Sequence, residues 1–145
     1  MSLIEDAREE LKRADHLIFV SLKYTRTCDI IMNTIKRMIE ASDFIILALL
    51  EKLKEKNKNL VIPASEINRA ELLLDVEKKY KKYLKTYLLL RKIVLSDFDR
   101  REEYRKHVTM IVHFERRDLE INVPVLHEYF DEIKEFVNLA EEDIK

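Results

Sequence analysis

Apolar positions recur along most of this chain at intervals of three and four, the spacing that gathers them on one side of an α-helix. Leu3, Ile4, Ala7, Leu11, Ala14, Leu17 and Ile18 open the pattern. Ser2 stands three residues before Glu5, a capping box in which each side chain satisfies the other residue's backbone N–H. This first helix is predicted to reach about Leu22–Tyr24. Thr25-Arg26-Thr27 then reads as a joint, since threonine is an indifferent helix former. The pattern leaves open whether residues 2–56 form one helix or two. Ile31, Ile35, Met38, Ser42, Ile45, Leu49 and Leu53 make the seam of a second helix,. It ends near Lys56-Asn57-Lys58-Asn59. A connector with Pro63 leads to Ser65, the predicted cap of a third helix with Leu73, Val76, Tyr80, Tyr83, Tyr87, Leu90 and Val94 on its seam. The tyrosines hold core positions there, and a buried tyrosine needs a partner for its hydroxyl.

The period then changes. Ser96-Asp97-Phe98-Asp99 stops the third helix, and a short helical turn is predicted over Arg100–Arg105. From His107 the chain is β-branched, with Val108, Met110, Val112 and Phe114 on one face. After the polar Glu115-Arg116-Arg117-Asp118, Leu119, Ile121 and Val123 alternate again, so residues 107–123 predict a β-hairpin. Without Asn-Gly or Asp-Gly its loop is longer than two residues. Pro124 suits the first turn of a final helix, whose apolar face is Leu126, Phe130, Ile133, Val137, Ala140 and Ile144. The expected fold is mainly α: a four-helix up-and-down bundle with a small β-hairpin before the last helix, in one domain over residues 1–145.

Composition narrows the chemistry. The chain has no glycine, which excludes a Walker P-loop, a GxGxxG dinucleotide turn, a GxSxG elbow and an EF-hand loop. Left-handed turn positions are therefore expected at Asn57, Asn59 and Asp118, since Asn and Asp tolerate that region best. At 47% hydrophobic residues the chain has ample material for a core, and a net charge of -1 advertises no global affinity for nucleic acid,. The lone Cys28 fits a reducing, cytoplasmic setting, and the longest apolar run, Phe44 to Leu50, is too short to span a membrane,. The chain is rich in Lys, Glu and Arg and has neither Gln nor Trp, the composition of a thermophile,.

Charge is nonetheless segregated. Lys78 to Ser96 holds seven basic residues and no acid, while Asp118 to Lys145 holds nine acids against Lys134 and Lys145. Lys78, Lys82, Lys85 and Lys92 share a stripe of the third helix, a candidate RNA-phosphate face. The competing expectation is a basic helix that lies beside the acidic one or is simply solvated. His16, His107, His113 and His127 show no metal-ligand spacing,, and neither a metal site nor a cofactor is expected. The densest polar segment runs from Asp99 to His107. An arginine there holds a phosphate bidentately and a histidine titrates near neutrality, the parts that metal-independent RNA cleavage requires.

The layout resembles the HEPN superfamily of helical domains. The likeness is carried by Ser21-Leu22-Lys23-Tyr24 leading into the helix Asp29–Lys54. It continues in Tyr87-Leu88-Leu89-Leu90-Arg91-Lys92, the polar Arg/His segment and the closing Val125-Leu126-His127-Glu128-Tyr129-Phe130. HEPN ribonucleases carry an Arg, four to six residues, then a His; Arg101 with five intervening residues, or Arg100 with six, reaches His107. The resemblance implies an archaeal-type, RNA-associated homodimer. If it is an endoribonuclease, His107 is the acid/base, Arg101 or Arg100 holds the scissile phosphate and Tyr104 positions it. The alternative is a non-catalytic dimeric adaptor or a nucleotidyltransferase partner.

Overall fold

A computed structural model describes residues 2–145. Helix α1 (Leu3–His16) starts where expected: the Ser2 hydroxyl accepts the Glu5 N–H at 3.1 Å. It runs on through a π-helical turn (Leu17–Ser21) into a last turn, α2 (Leu22–Tyr24). Thr25–Thr27 is a true joint, so residues 2–56 form two helical arms. The Thr27 hydroxyl caps α3 (Cys28–Lys56) by accepting the Ile30 N–H at 3.3 Å. Glu10 pairs with Arg37 at 2.9 Å, while Ile4 shares a hollow with Ala48 and Lys52. The two arms are therefore antiparallel. α3 is the central element, with Ile31, Ile35, Met38, Ile45, Ile46 and Leu50 buried, and α1 and the later helices all pack against it.

The single third helix of the sequence reading is two. α4 (Glu66–Val76) and α5 (Lys81–Val94) are separated by an extended Glu77 (φ -139, ψ 96) and a 3-10 turn at Lys78–Tyr80. A continuous helix would carry Val76 and Tyr80 on one stripe, a turn apart. The extended residue breaks that relation, leaving Val76 46% exposed while Tyr80 is buried. The tyrosines are core residues, as their spacing predicts. Phe136 of the final helix, α6 (Val123–Ile144), stacks on Tyr83 with ring centroids 5.4 Å apart and meets Tyr80 edge-on at 5.6 Å. The Tyr83 hydroxyl donates to Glu135 at 2.7 Å, Tyr80 donates to Asp143 and Tyr87 to Asp43. Burial, then the facing carboxylate, raises each of these phenols, Tyr83 to about 12.

Between α5 and α6 lies a three-stranded antiparallel sheet in the order β1-β2-β3, formed by β1 (Phe98–Arg101), β2 (Thr109–His113) and β3 (Asp118–Asn122). The predicted hairpin is β2–β3, with His113 opposite Asp118 and Thr109 opposite Asn122. The Phe114 N–H donates to the Arg117 carbonyl at 2.9 Å across its loop. β1 is a correction: helix was expected from Arg100, but Phe98 to Arg101 pair with Val112 to Thr109. Ladder bonds to an existing strand override the local helix preference of Arg100 and Arg101,. Val108, Met110, Val112 and Ile121 turn to the core. Asp99, Arg101, His113, Asp118 and Glu120 share the other face. The Asn122 side chain caps α6 by accepting the Val125 N–H at 2.9 Å, with Pro124 in the first turn.

The left-handed positions fall elsewhere than expected. Asn57 is extended at φ -129. Among the described residues, Glu102 (φ 55) and Tyr104 (φ 67) are the non-glycine residues with positive φ. Asn57, Asn59 and Asp118 are thus not the turn residues that replace glycine. A short loop between two fixed anchors sets its own dihedrals, whichever residues occupy it.

Candidate functional site

The loop from Glu102 to Val108 is pinned to the start of α3. The first N–H groups of a helix lack intrahelical acceptors and sit at the positive end of its dipole. Glu103 exploits both: one carboxylate oxygen accepts the Cys28 N–H at 3.0 Å and the other accepts from Arg100 at 2.9 Å. Arg100 also donates to Asp29 at 2.8 Å. These partners, Asp29 first and Glu103 second, raise the Arg100 pKa and hold the guanidinium charged. The Tyr104 N–H donates to the Arg26 carbonyl at 2.6 Å, tying the loop to the α2–α3 joint.

The pinned loop closes a hollow of about 400 Å³ against the end of the first arm and the start of α6. Its apolar lining is Ile18, Phe19, Leu22, Val123 and Pro124. Lys23, Arg26 and Lys106 bring three cations, and His107 and His127 bring two imidazoles. Among the described residues, no carboxylate lines it. Four other hollows each include at least one: Glu51, Asp143, Asp29 or Asp15. The π-turn contributes Ile18 and Phe19; such widened turns recur at functional sites. Phe19 is 46% exposed and meets His127 edge-on at 4.9 Å.

The candidate residues of the sequence reading are thus distributed. His107 lies in this hollow. Arg100 lines a different one, with Asp29 and Lys36. Arg101 is on the outer face of the sheet, paired with Glu120. Tyr104 is 76% exposed. Within one chain, the Arg and His of the proposed motif line separate surfaces. Of the lysine stripe, Lys82 lies 3.9 Å from Glu132 of α6 and Lys92 sits 4.4 Å over the Phe114 ring. Lys78 and Lys85 are exposed.

Two other ionisable groups are settled by their surroundings. His113 is held between strands, Nδ1 2.8 Å from Asp118 and Nε2 2.8 Å from Asp99. Both contacts raise its pKa, Asp118 more than Asp99. Cys28 is buried against the Thr109 carbonyl at 3.4 Å. Burial foremost, with Glu103 nearby, pushes its thiol up, away from thiolate chemistry,.

Lys23 and Arg26 were not read as site residues from the sequence, Lys106 fell within the dense polar segment, and His127 was weighed only as a metal ligand. They come from three segments far apart in the chain, and no spacing rule joins them. Two of the stretches that carry the HEPN resemblance do contain Lys23 and His127. Among the described residues, no group of three His, Cys, Asp or Glu side chains is placed to hold a metal ion, and no helix is long and apolar enough to cross a membrane. No family model, curated protein or solved structure matches the chain.

Proposed function

We propose that this chain is a HEPN-like, RNA-associated module that takes RNA phosphates in the hollow between the first helical arm, the 102–108 loop and the start of α6. The observation that supports it is the lining: three cations and, among the described residues, no carboxylate. Clustered like charges repel in the empty site, and a bound phosphate removes that repulsion. Arg26 offers a planar fork of donors, and Lys23 and Lys106 offer mobile point charges. The four-helix up-and-down bundle, the homodimer and the reducing, cytoplasmic setting of a free Cys28 belong to the same reading.

Metal-independent endoribonuclease chemistry is the catalytic form of this proposal, favoured by the two imidazoles in one hollow. In it, one neutral imidazole takes the proton of a 2′-hydroxyl as that oxygen bonds to phosphorus. The bond from phosphorus to the 5′-oxygen breaks, and the leaving oxygen takes a proton from the other, protonated imidazole. A 2′,3′-cyclic phosphate and a 5′-hydroxyl result. We assign His107 as one of the pair. A phosphate-holding Arg100 or Arg101 would then come from the second chain of a homodimer.

Fluorescence anisotropy with labelled RNA at low salt tests the binding claim. The Lys23→Ala/Arg26→Ala/Lys106→Ala variant is expected to lose affinity, while Lys78→Ala/Lys82→Ala/Lys85→Ala keeps it. The opposite ranking would move the site to the lysine stripe. No RNA binding by the wild type would leave the adaptor or nucleotidyltransferase-partner alternative. Cleavage is read in EDTA, where His107→Ala is expected to lose at least about 100-fold, the contribution of a positioned acid or base. Unchanged cleavage in that variant removes His107 from the mechanism.

A further inference from the structure

We infer that the hollow takes one unpaired nucleotide, its base against the apolar side chains and its phosphate at the cations, and that Tyr104 stacks the neighbouring base. This rests on the RNA reading above and specifies which form of RNA that site accepts. The hollow's lining is of two kinds. Ile18, Phe19, Leu22, Val123 and Pro124 offer nothing to a phosphate, yet they make up half of it. At about 400 Å³ it falls among pockets that enclose a small molecule, roughly 300–1,000 Å³,. A phosphate alone needs only the cations. A paired base keeps both faces stacked and its edge occupied, so only an unpaired nucleotide can turn its base onto such side chains.

Tyr104 supplies the second observation. Its φ of 67 is a strained setting for a residue with a side chain,. The strain is not returned as packing, because the side chain is 76% exposed. Glu102 of the same loop is also left-handed, at φ 55, so the strain belongs to the loop; what sets Tyr104 apart is the aromatic ring that the loop leaves in solvent,. The backbone bond from Tyr104 to the Arg26 carbonyl ties the residue that carries this exposed ring to one that lines the hollow. An exposed aromatic next to a phosphate-binding cation is the arrangement on which successive bases of a single strand stack.

The test compares labelled ten-nucleotide RNA, single-stranded and as a duplex of the same sequence, at one salt concentration. It uses the full chain and Tyr104→Phe, Tyr104→Gly and Tyr104→Asn. Glycine and asparagine both accept the left-handed backbone, so the ring is removed without forcing the loop. The single strand is expected to bind at least about tenfold tighter than the duplex. Tyr104→Phe should match the wild type. The Gly and Asn variants should lose about 5- to 100-fold for the single strand, with no change for the duplex. A nucleoside monophosphate should compete at lower concentration than inorganic phosphate. Equal affinity for duplex and single strand, full single-strand affinity in Tyr104→Gly, or equal competition by inorganic phosphate would each overturn the inference. The RNA reading would survive any of these; it fails separately, if the wild type binds neither form.

Discussion

Two basic regions of this molecule have opposite surroundings. The run from Lys78 to Lys92 is the more conspicuous in the sequence. Lys78 and Lys85 are exposed and Arg91 pairs with Asp43 of α3, but part of the run meets the acidic α6. Lys79 lies 2.7 Å from Asp143, Lys82 3.9 Å from Glu132, and Tyr80, Tyr83 and Thr86 donate to carboxylates of the same helix. Lys23, Arg26 and Lys106 are fewer and scattered, yet they line one hollow that no acid among the described residues enters. A run of like charge along one helix is readily answered by a neighbouring helix. Charges brought together from separate segments, and left unanswered, are the stronger pointer to an anionic ligand.

The largest effect expected from breaking this contrast lies in the seam. Phe136 is fully buried between Tyr80 and Tyr83. Phe136→Ala is expected to cost about 3–5 kcal/mol of stability in a denaturant titration. RNA affinity, measured where the variant is still folded, should be unchanged. If affinity falls with stability, the seam and the hollow form one cooperative unit and the contrast is lost.

Salt dependence separates the two regions next. Each phosphate contact to a single strand contributes about 0.7 to the slope of log affinity against log salt. Replacing Lys23, Arg26 and Lys106 by alanine should therefore lower the slope by about 2, from three contacts at ~0.7 each. Replacing Lys78, Lys82 and Lys85 should leave it almost unaltered. Equal losses from both sets would make the surface diffuse rather than sited.

The same contrast explains what was legible in the sequence. Helix seams were, because Ile31, Ile35, Met38 and Ile45 must all face one core, and periodicity reports that directly. The β2–β3 hairpin was legible for the same reason at period two. The Glu77 break was not: nothing in Val76-Glu77-Lys78 forbids a helix, and the tertiary fit of Tyr80 and Tyr83 against Phe136 of α6 and of Tyr87 against Asp43 of α3 decides it. β1 was hidden because Asp99-Arg100-Arg101 has weak strand preference and becomes a strand only beside β2. Of the candidate site, His107 was found as part of a dense polar segment. Lys23 and Arg26 join it because Glu103 caps α3 and Tyr104 bonds Arg26, contacts between residues some seventy-five positions apart, and His127 joins it from α6, against Phe19.

A smaller effect, of opposite sign, is expected at the loop itself. A left-handed residue with a side chain costs about 1–2 kcal/mol, and glycine's greater freedom when unfolded returns about 0.4–1 of that. Tyr104→Gly should therefore be more stable than the wild type by about 0.5–1 kcal/mol in a denaturant titration. Removing a ring from a buried, packed position would instead destabilise. A loss of stability would mean that the exposed ring has a structural role, and the loop would then resemble the seam.

The smallest effect concerns pH, and it too divides the molecule. His113 lies between Asp118 and Asp99, sharing its face of the sheet with the Arg101–Glu120 pair and adjoining the charged loop Glu115-Arg116-Arg117. Its folded pKa is raised above the ordinary value near 6.5,. A raised pKa means that the protonated ring is favoured by folding. The stabilisation is thus fully present below pH about 6.5 and is lost as pH rises through the raised value. Protection of the β1 amides, taken relative to the intrinsic exchange rate at each pH, is expected to fall across that window, and His113→Gln should abolish the change. In the seam, Asp143 is held below the usual carboxylate range by Lys79 first and Tyr80 second. Its contribution is present above the ordinary value near 3.8 and disappears only as pH falls through the lowered one,. The Tyr83 phenol, pushed up to about 12, is protonated throughout the neutral range. Amides of α5 should therefore show no change of protection where those of β1 do. If both respond together, His113 reports global unfolding rather than a local clamp on the sheet that frames the hollow's loop.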